Sequence, residues 1–306
     1  MKKFITVLLI AFLALALAAC GTGDAEEADQ AEPQEEENNE AQEESDEAQE
    51  EQEEQEEAEG SELREIIIGS ANVPHSEILE EAQPLFEEEG IELQIEVYQD
   101  YVLPNEDLDN GTLDVNFFQH TPYLEDQIDE VGYDFVSLGG IHIEPMGIYS
   151  QNITDPDNVP EGTEVIMSRS VADHGRILTI LQENGLISID EDVDPVAATV
   201  DDIVENPLNL EFDSSIDAGL LPEFYEREAD ALVAINTNYA IEAELTPTED
   251  ALFLEASDSP YANVIAVRAE DKDDEDLQKI VEILRTEEIQ TFMEEEYEGS
   301  IVPANE

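Results

Sequence analysis

The stretch Arg64–Tyr101, REIIIGSANVPHSEILEEAQPLFEEEGIELQIEVYQDY, decides the fold. It opens with EIIIG, a short apolar run closed by glycine, which predicts a buried strand ending in a turn. Ile78, Leu79, Ala82 and Phe86 then recur at helical spacing, with Ser76 placed as N-cap and Gly90 as the stop. IELQIEVYQ switches to alternation, the period of a strand. Strand, helix and strand in that order predict an α/β fold with mainly parallel sheets flanked by helices.

Further along the chain, GTLDVNFFQ is a strand running into TPYLEDQIDEVG, a helix with proline in its first turn. YDFVSLGGIHIEPMGIYS supplies two more strands. After the Pro/Gly/Asp-rich joint TDPDNVPEGT the pattern restarts. EVIMS, ADALVAIN and PYANVIAVR read as strands, and DHGRILTILQENGLI as a helix ending at Gly185. ATVDDIVENP reads as a short helix, TNYAIEAEL as a helix start, and EDLQKIVEILRTEEIQTFMEEEY as a closing pair of amphipathic helices. Two α/β lobes in one chain predict a cleft between them, where ligands usually sit.

The first twenty residues carry a basic start at Lys2 and Lys3, an apolar run from Phe4 to Ala19, and the closing sequence LAAC. They read as an export signal, and LAAC resembles a bacterial lipobox in which Cys20 is lipidated. Cys20 is the single cysteine, so no internal disulfide can form. Residues 21–60 are nearly all Glu, Gln, Ala, Asp and Asn, a composition that favours a disordered, extended tether.

The 306 residues include 81 acidic and 10 basic side chains. So few cations argue against nucleic acid, whose phosphates require Lys and Arg. Such self-repulsion suits a salt-loving or alkali-loving bacterium, where salt screens charge. Against this acidic background NFFQHTPYLED, Asn116–Asp126, gathers Phe117, Phe118, His120 and Tyr123. Strand alternation points Phe117 and Phe118 to opposite faces, so one of them at most lines a cleft, the other belonging to the core. His75 is expected to be structural or a first-loop residue. Enzyme chemistry has little to stand on: no Gly-x-Ser-x-Gly, no His-Glu-x-x-His and no P-loop occur, and the four histidines lack metal-ligand spacing. His120, Asp173 and His174 are the residues such chemistry would need. No cofactor and no metal are expected.

YQDYVLPNEDLDNGTLDVNFFQHTPYLEDQ, GRILTILQENGLI, DDIVENPLNL, ALVAINTNYA and SPYANVIAVR, in that order, resemble the substrate-binding lipoproteins of bacterial methionine ABC importers, the NlpA-type family. The resemblance covers nearly all of residues 64–302. It implies a two-lobed periplasmic-binding-protein-like fold (type II) with hinge strands, expected as lobe 1 at 61–148 and 245–306 and lobe 2 at 149–244. It further implies a lipid-anchored, extracytoplasmic protein that binds methionine and delivers it to a permease and its ATPase. Carried over residue by residue, the pocket falls on Tyr101, Phe118, His120, Tyr123, Arg176, Asn236 and Asn263. The rings suit a thioether, and the guanidinium of Arg176 suits a carboxylate.

Two departures stand out. Asp173 occupies the place of an asparagine that contacts ligand in the family, and Glu223 stands where arginine is usual. Asp173 can pair with a ligand ammonium. L-methionine, D-methionine, a methionine-containing dipeptide and another apolar amino acid all remain open as ligands. Replacing Arg176 or Asn236 with Ala is expected to cost affinity without unfolding the domain.

Overall fold

The computed structural model describes residues 63–257 and 259–304. The export signal, Cys20 and the acidic tether lie outside the described residues. The described residues belong to one unit. Within it four hydrophobic clusters form, two against each sheet.

The first sheet runs β13-β4-β12-β3-β1-β2. Its strands are β1 (Arg64–Ala71), β2 (Ile91–Tyr98), β3 (Val115–His120), β4 (Phe135–Ile143), β12 (Ala262–Arg268) and β13 (Val302–Pro303). Helix α1 (His75–Glu88) joins β1 to β2, which pair in parallel, and β1 also pairs in parallel with β3. Ile66 and Ile68 of β1, Ile78, Leu79 and Phe86 of α1, and Phe117 of β3 are buried in one cluster. Fully burying one such side chain contributes about 1.5–3 kcal/mol, which makes this interleaved set the main source of lobe 1 stability. Two short helices complete the connections, α2 (Leu103–Asp109) and α3 (Thr121–Glu130).

The second sheet runs β11-β5-β10-β6-β9. It contains β5 (Gly147–Tyr149), β6 (Glu164–Ser168), β9 (Glu211–Ile216), β10 (Leu232–Ile235) and β11 (Phe253–Leu254). Helix α4 (Val171–Glu183) follows β6 and packs Ile177, Leu178 and Leu181 against Val165, Met167 and Leu232. The remaining elements are the two-stranded β7 (Ser188–Ile189) and β8 (Ile203–Glu205), then α5 (Leu221–Arg227), α6 (Thr237–Glu242), α7 (Pro247–Asp250), α8 (Glu275–Leu284) and α9 (Glu287–Glu296).

The chain crosses between sheets twice, at residues 144–146 and again between β11 and β12. β12 returns antiparallel between β3 and β4. That return is why the sheets are mixed rather than mainly parallel: β1, β2 and β3 are parallel, as are β6, β9 and β10, but every pairing of β4, β5, β11, β12 and β13 is antiparallel. β5 and β11 belong to the second sheet, so its strands span 147–254, wider than the expected 149–244.

Other local expectations shift for stated reasons. The helix of α1 starts at His75 with Pro74 as N-cap, and the Ser76 hydroxyl instead donates to the Asn72 carbonyl. The segment expected as a helix at 198–207 is a single 3-10 turn, Val200–Asp202, followed by β8. Thr199 and Asp202 close a capping box there, and Ile203–Glu205 then pair with β7. Among the described residues, no helix is long and apolar enough to cross a membrane.

Candidate functional site

In both lobes the site lies at the carboxyl ends of parallel strands, the usual place for a ligand crevice in α/β sheets. Tyr101 follows β2, His120 ends β3, Asp173 opens the helix after β6, and Asn236 follows β10. Asn263 on β12 sits in register between His120 of β3 and His142 of β4. Together these elements line one small pocket. Tyr101, Phe118, His120, Tyr123, Asp173, Arg176, Asn236 and Asn263 all line it.

Phe117 and Phe118 divide as alternation requires: Phe117 lies in the lobe 1 core and Phe118 faces the cavity. The rings of Tyr101, Phe118 and Tyr123 stand 6.1–6.2 Å apart, pair by pair, and form one wall. Tyr101 and Tyr123 also line a wider groove outside, so their rings stand between the cavity and solvent. Two tyrosines fasten this wall across the cleft. The Tyr101 hydroxyl donates to Asn238 Oδ1 at 2.6 Å, and the Tyr239 hydroxyl to the Gln99 carbonyl at 3.2 Å. Burial, with Tyr239, Glu144 and Asp173 nearby, pushes the Tyr101 phenol well above its ordinary value, so it remains a donor.

His120 caps α3 with its ring. Nδ1 accepts from the Tyr123 backbone N–H at 3.1 Å, which leaves the ring proton on Nε2. Nε2 lies 3.2 Å from Asp173 Oδ1 and donates to it. Asn236 Nδ2 reaches both Asp173 oxygens only at 3.4 Å. Burial would raise the Asp173 carboxyl, but the His120 N–H, the Arg176 charge and Asn236 outweigh it and hold it below its ordinary value. Asp173 is therefore an ionised carboxylate, 2% exposed. Asn236 Oδ1 is buried with no partner.

Arg176 departs from expectation. Gly175 lets α4 approach the 195–196 segment so closely that a Cβ there would collide with the Pro195 and Val196 carbonyl oxygens. This seats Arg176 between the two crossings. Its Nη2 donates to the Glu144 carbonyl at 2.8 Å and pairs with the Glu255 carboxylate, to which Nε also donates at 3.1 Å. Its guanidinium carbon lies 4.5 Å from the Tyr261 ring centroid. Burial opposes the charge, but Glu255 and Asp173 keep it. Removing one member of such a buried pair typically costs about 3–5 kcal/mol, so Arg176→Ala is not neutral to folding as the sequence suggested.

Glu223 is exposed on α5 and takes no part in the cavity. His174 is buried with Nε2 3.0 Å from the Ser168 carbonyl, a structural role. Sequence reasoning missed Gln119, Glu144, Thr237 and Asn238, all of which line the cavity, and Glu255 behind it. Glu144 carried one signal, a lone acid inside the apolar run IHIEPMGIY. Glu255 carried none among so many acids.

A second histidine cluster abuts the cavity. His142 Nε2 lies 2.8 Å and His75 Nε2 3.3 Å from Glu144 Oε1, and His75 Nε2 is also 3.1 Å from Asn263 Oδ1. The donor atoms of His75, His142 and Glu144 fall within 4.8 Å of one another, a proximity that their sequence spacing concealed. Both Nδ1 atoms are buried without partners. A metal on Nε2 would force a proton onto each Nδ1 with nothing to receive it, whereas Nε2–H donors, His142 to Glu144 and His75 to Asn263, leave only lone pairs there. The cluster is thus suited to hydrogen bonding, with neutral rings. Burial drives the His75 ring down to about 4.

A family model described as NlpA lipoprotein matches residues 66–305. The methionine-binding lipoprotein MetQ of Bacillus subtilis (strain 168) is 40% identical over 245 residues, 79% of this chain and 89% of that protein. The D-methionine-binding lipoprotein MetQ of Yersinia pestis is 37% identical over 238 residues, 78% of this chain and 86% of that protein. A solved structure, a nutrient binding protein from Burkholderia cenocepacia bound to methionine, matches with a TM-score of 0.73 at 39% identity, covering 78% of this chain and 99% of that one.

Proposed function

The chain belongs to the NlpA lipoprotein family, and from that premise we propose that it is the methionine-binding component of an ABC importer. In this reading it captures free methionine in the cavity between its lobes and hands it to a permease and its ATPase, with no catalysis of its own. In this reading Cys20 carries the lipid that holds it at the extracytoplasmic face of the membrane. The lobes divide at the two crossings, which serve as the hinge.

The observation that carries the reading is the pairing of two unlike walls around one small cavity. Tyr101, Phe118 and Tyr123 offer a thioether dispersion and sulfur–aromatic contact, each contact contributing about 0.3–1.5 kcal/mol. Opposite them, Asp173 and the unpartnered Asn236 Oδ1 suit an ammonium. Arg176 and the amides of Asn238 and Asn263 border the space for a carboxylate. Tyr101–Asn238 and Tyr239–Gln99 fasten the lobes together, so ligand contacts to both walls favour the fastened state by population shift.

Mass spectrometry of small molecules released on unfolding the natively purified protein tests the ligand. Methionine is the expected mass, and chiral chromatography assigns its isomer; a peptide or another amino acid would refute the assignment. Cys20→Ser is expected to free the protein from membranes, and continued co-sedimentation with them would refute the anchor.

A further inference from the structure

The cavity holds a second carboxylate, and its supports are built. Glu144 stands at the first crossing between the lobes, 6% exposed, with its side chain on the cavity wall. Its Oε1 accepts from His142 Nε2 at 2.8 Å, and His75 Nε2, which hydrogen-bonds Asn263 Oδ1, lies 3.3 Å from the same oxygen. Both rings are packed edge-on against Phe117 in the lobe 1 core, at centroid distances of 4.7 and 5.3 Å, so neither can swing away. Because His142 spends its N–H on Glu144 and His75 on Asn263, and each keeps a bare Nδ1, neither brings a positive charge. The one guanidinium on the cavity wall, Arg176, is committed to Glu255 and to the Glu144 backbone. Glu144 and Asp173 therefore face the same space as ionised groups, with the orphaned acceptor Asn236 Oδ1 beside them.

We infer that Glu144 is a ligand-recognising carboxylate, oriented by His75 and His142 as positioning residues, and that with Asp173 it makes a free ammonium group obligatory in the ligand. This rests on the methionine reading and deepens it. A ligand without a cationic nitrogen sets no opposite charge against the Glu144 and Asp173 carboxylates and the unpartnered Asn236 Oδ1. A site built to hydrogen-bond a group rejects the analogue lacking it far more strongly than a site of mere shape does.

The test compares L-methionine with 4-(methylthio)butanoate, which keeps the tail and carboxylate but lacks the amine. Both are titrated calorimetrically into the detergent-solubilised full chain, stripped of bound ligand. The wild type is expected to prefer L-methionine by at least about 100-fold. In Glu144→Gln, which preserves shape and an acceptor for His142, that preference should fall by about tenfold or more. His142→Gln should lower it in the same direction but less, since the carboxylate itself remains. A purely structural role would weaken both ligands together and leave their ratio unmoved. Equal affinity of the wild type for both ligands, or an unchanged ratio in Glu144→Gln, overturns the inference while leaving the methionine reading intact. Failure of the wild type to bind L-methionine at all overturns that reading, and this inference with it.

Discussion

The two walls of the cavity differ in how they are made. The ring wall comes mainly from one short stretch, Phe118 to Tyr123, with Tyr101 brought alongside by the turn after β2. The charged wall draws single residues from distant places: Glu144 at a crossing, Asp173 and Arg176 on α4, Asn236 after β10. The ring wall is held by packing and tyrosine hydroxyl bonds, whereas the charged wall is held by the buried Arg176–Glu255 pair and by histidine donors to Asp173 and Glu144. A short local motif makes shape, and a long-range assembly makes polarity.

The sharpest break of that contrast is Arg176→Ala. Leaving Glu255 buried without its partner should lower the free energy of unfolding by about 3–5 kcal/mol, read by urea denaturation. A loss under about 1 kcal/mol, the range of a surface pair, would mean that the charged wall is no more integral than a surface ion pair.

Asp173→Asn acts next, on binding rather than folding. Loss of a buried charge-assisted partner should weaken L-methionine by about ten- to a hundredfold. The Asp173 carboxyl lies below its ordinary value in the folded protein, so its contribution to stability is present above that ordinary value and disappears as pH falls through the folded one. The wild type should therefore lose more stability than the variant on acidification below about pH 4.

His75 titrates in the same direction for a different reason, burial favouring its neutral ring. Its ring is displaced downward from 6.5 to about 4, so between those values the unfolded chain binds the extra proton and stability drops as pH drops. Unfolding measured at about pH 6.5 and about pH 5 should differ by roughly 2 kcal/mol from this ring alone. His75→Gln should remove that portion of the difference.

Tyr101→Phe is the mildest change and addresses the ring wall. It keeps the ring but leaves Asn238 Oδ1 without its donor, at a cost of about 1 kcal/mol, or about fivefold in methionine affinity.

The same contrast explains what could be read from the sequence. Strand and helix periods around Arg64–Tyr101 announced lobe 1, because Ile66, Ile68, Ile78 and Phe86 are buried by the faces their spacing defines. NFFQHTPY announced the ring wall because alternation alone sends Phe118 away from the core. Glu255 was illegible: one acid among 81 gains its role only when the fold places it against Arg176. His75 and His142, 67 positions apart, meet only because β12 bridges β3 and β4. The Val200–Asp202 turn misled because its capping box begins a helix that β7 then captures as a strand partner.

Calorimetric titration of L-methionine into ligand-stripped wild type, Asp173→Asn and the exposed-site control Glu223→Ala bears most directly on two unlike walls gripping one amino acid. Saturable binding by the wild type, matched by the control and weakened at least about tenfold in Asp173→Asn, is the expected result. No heat of binding in the wild type, or equal affinity in all three proteins, would contradict it.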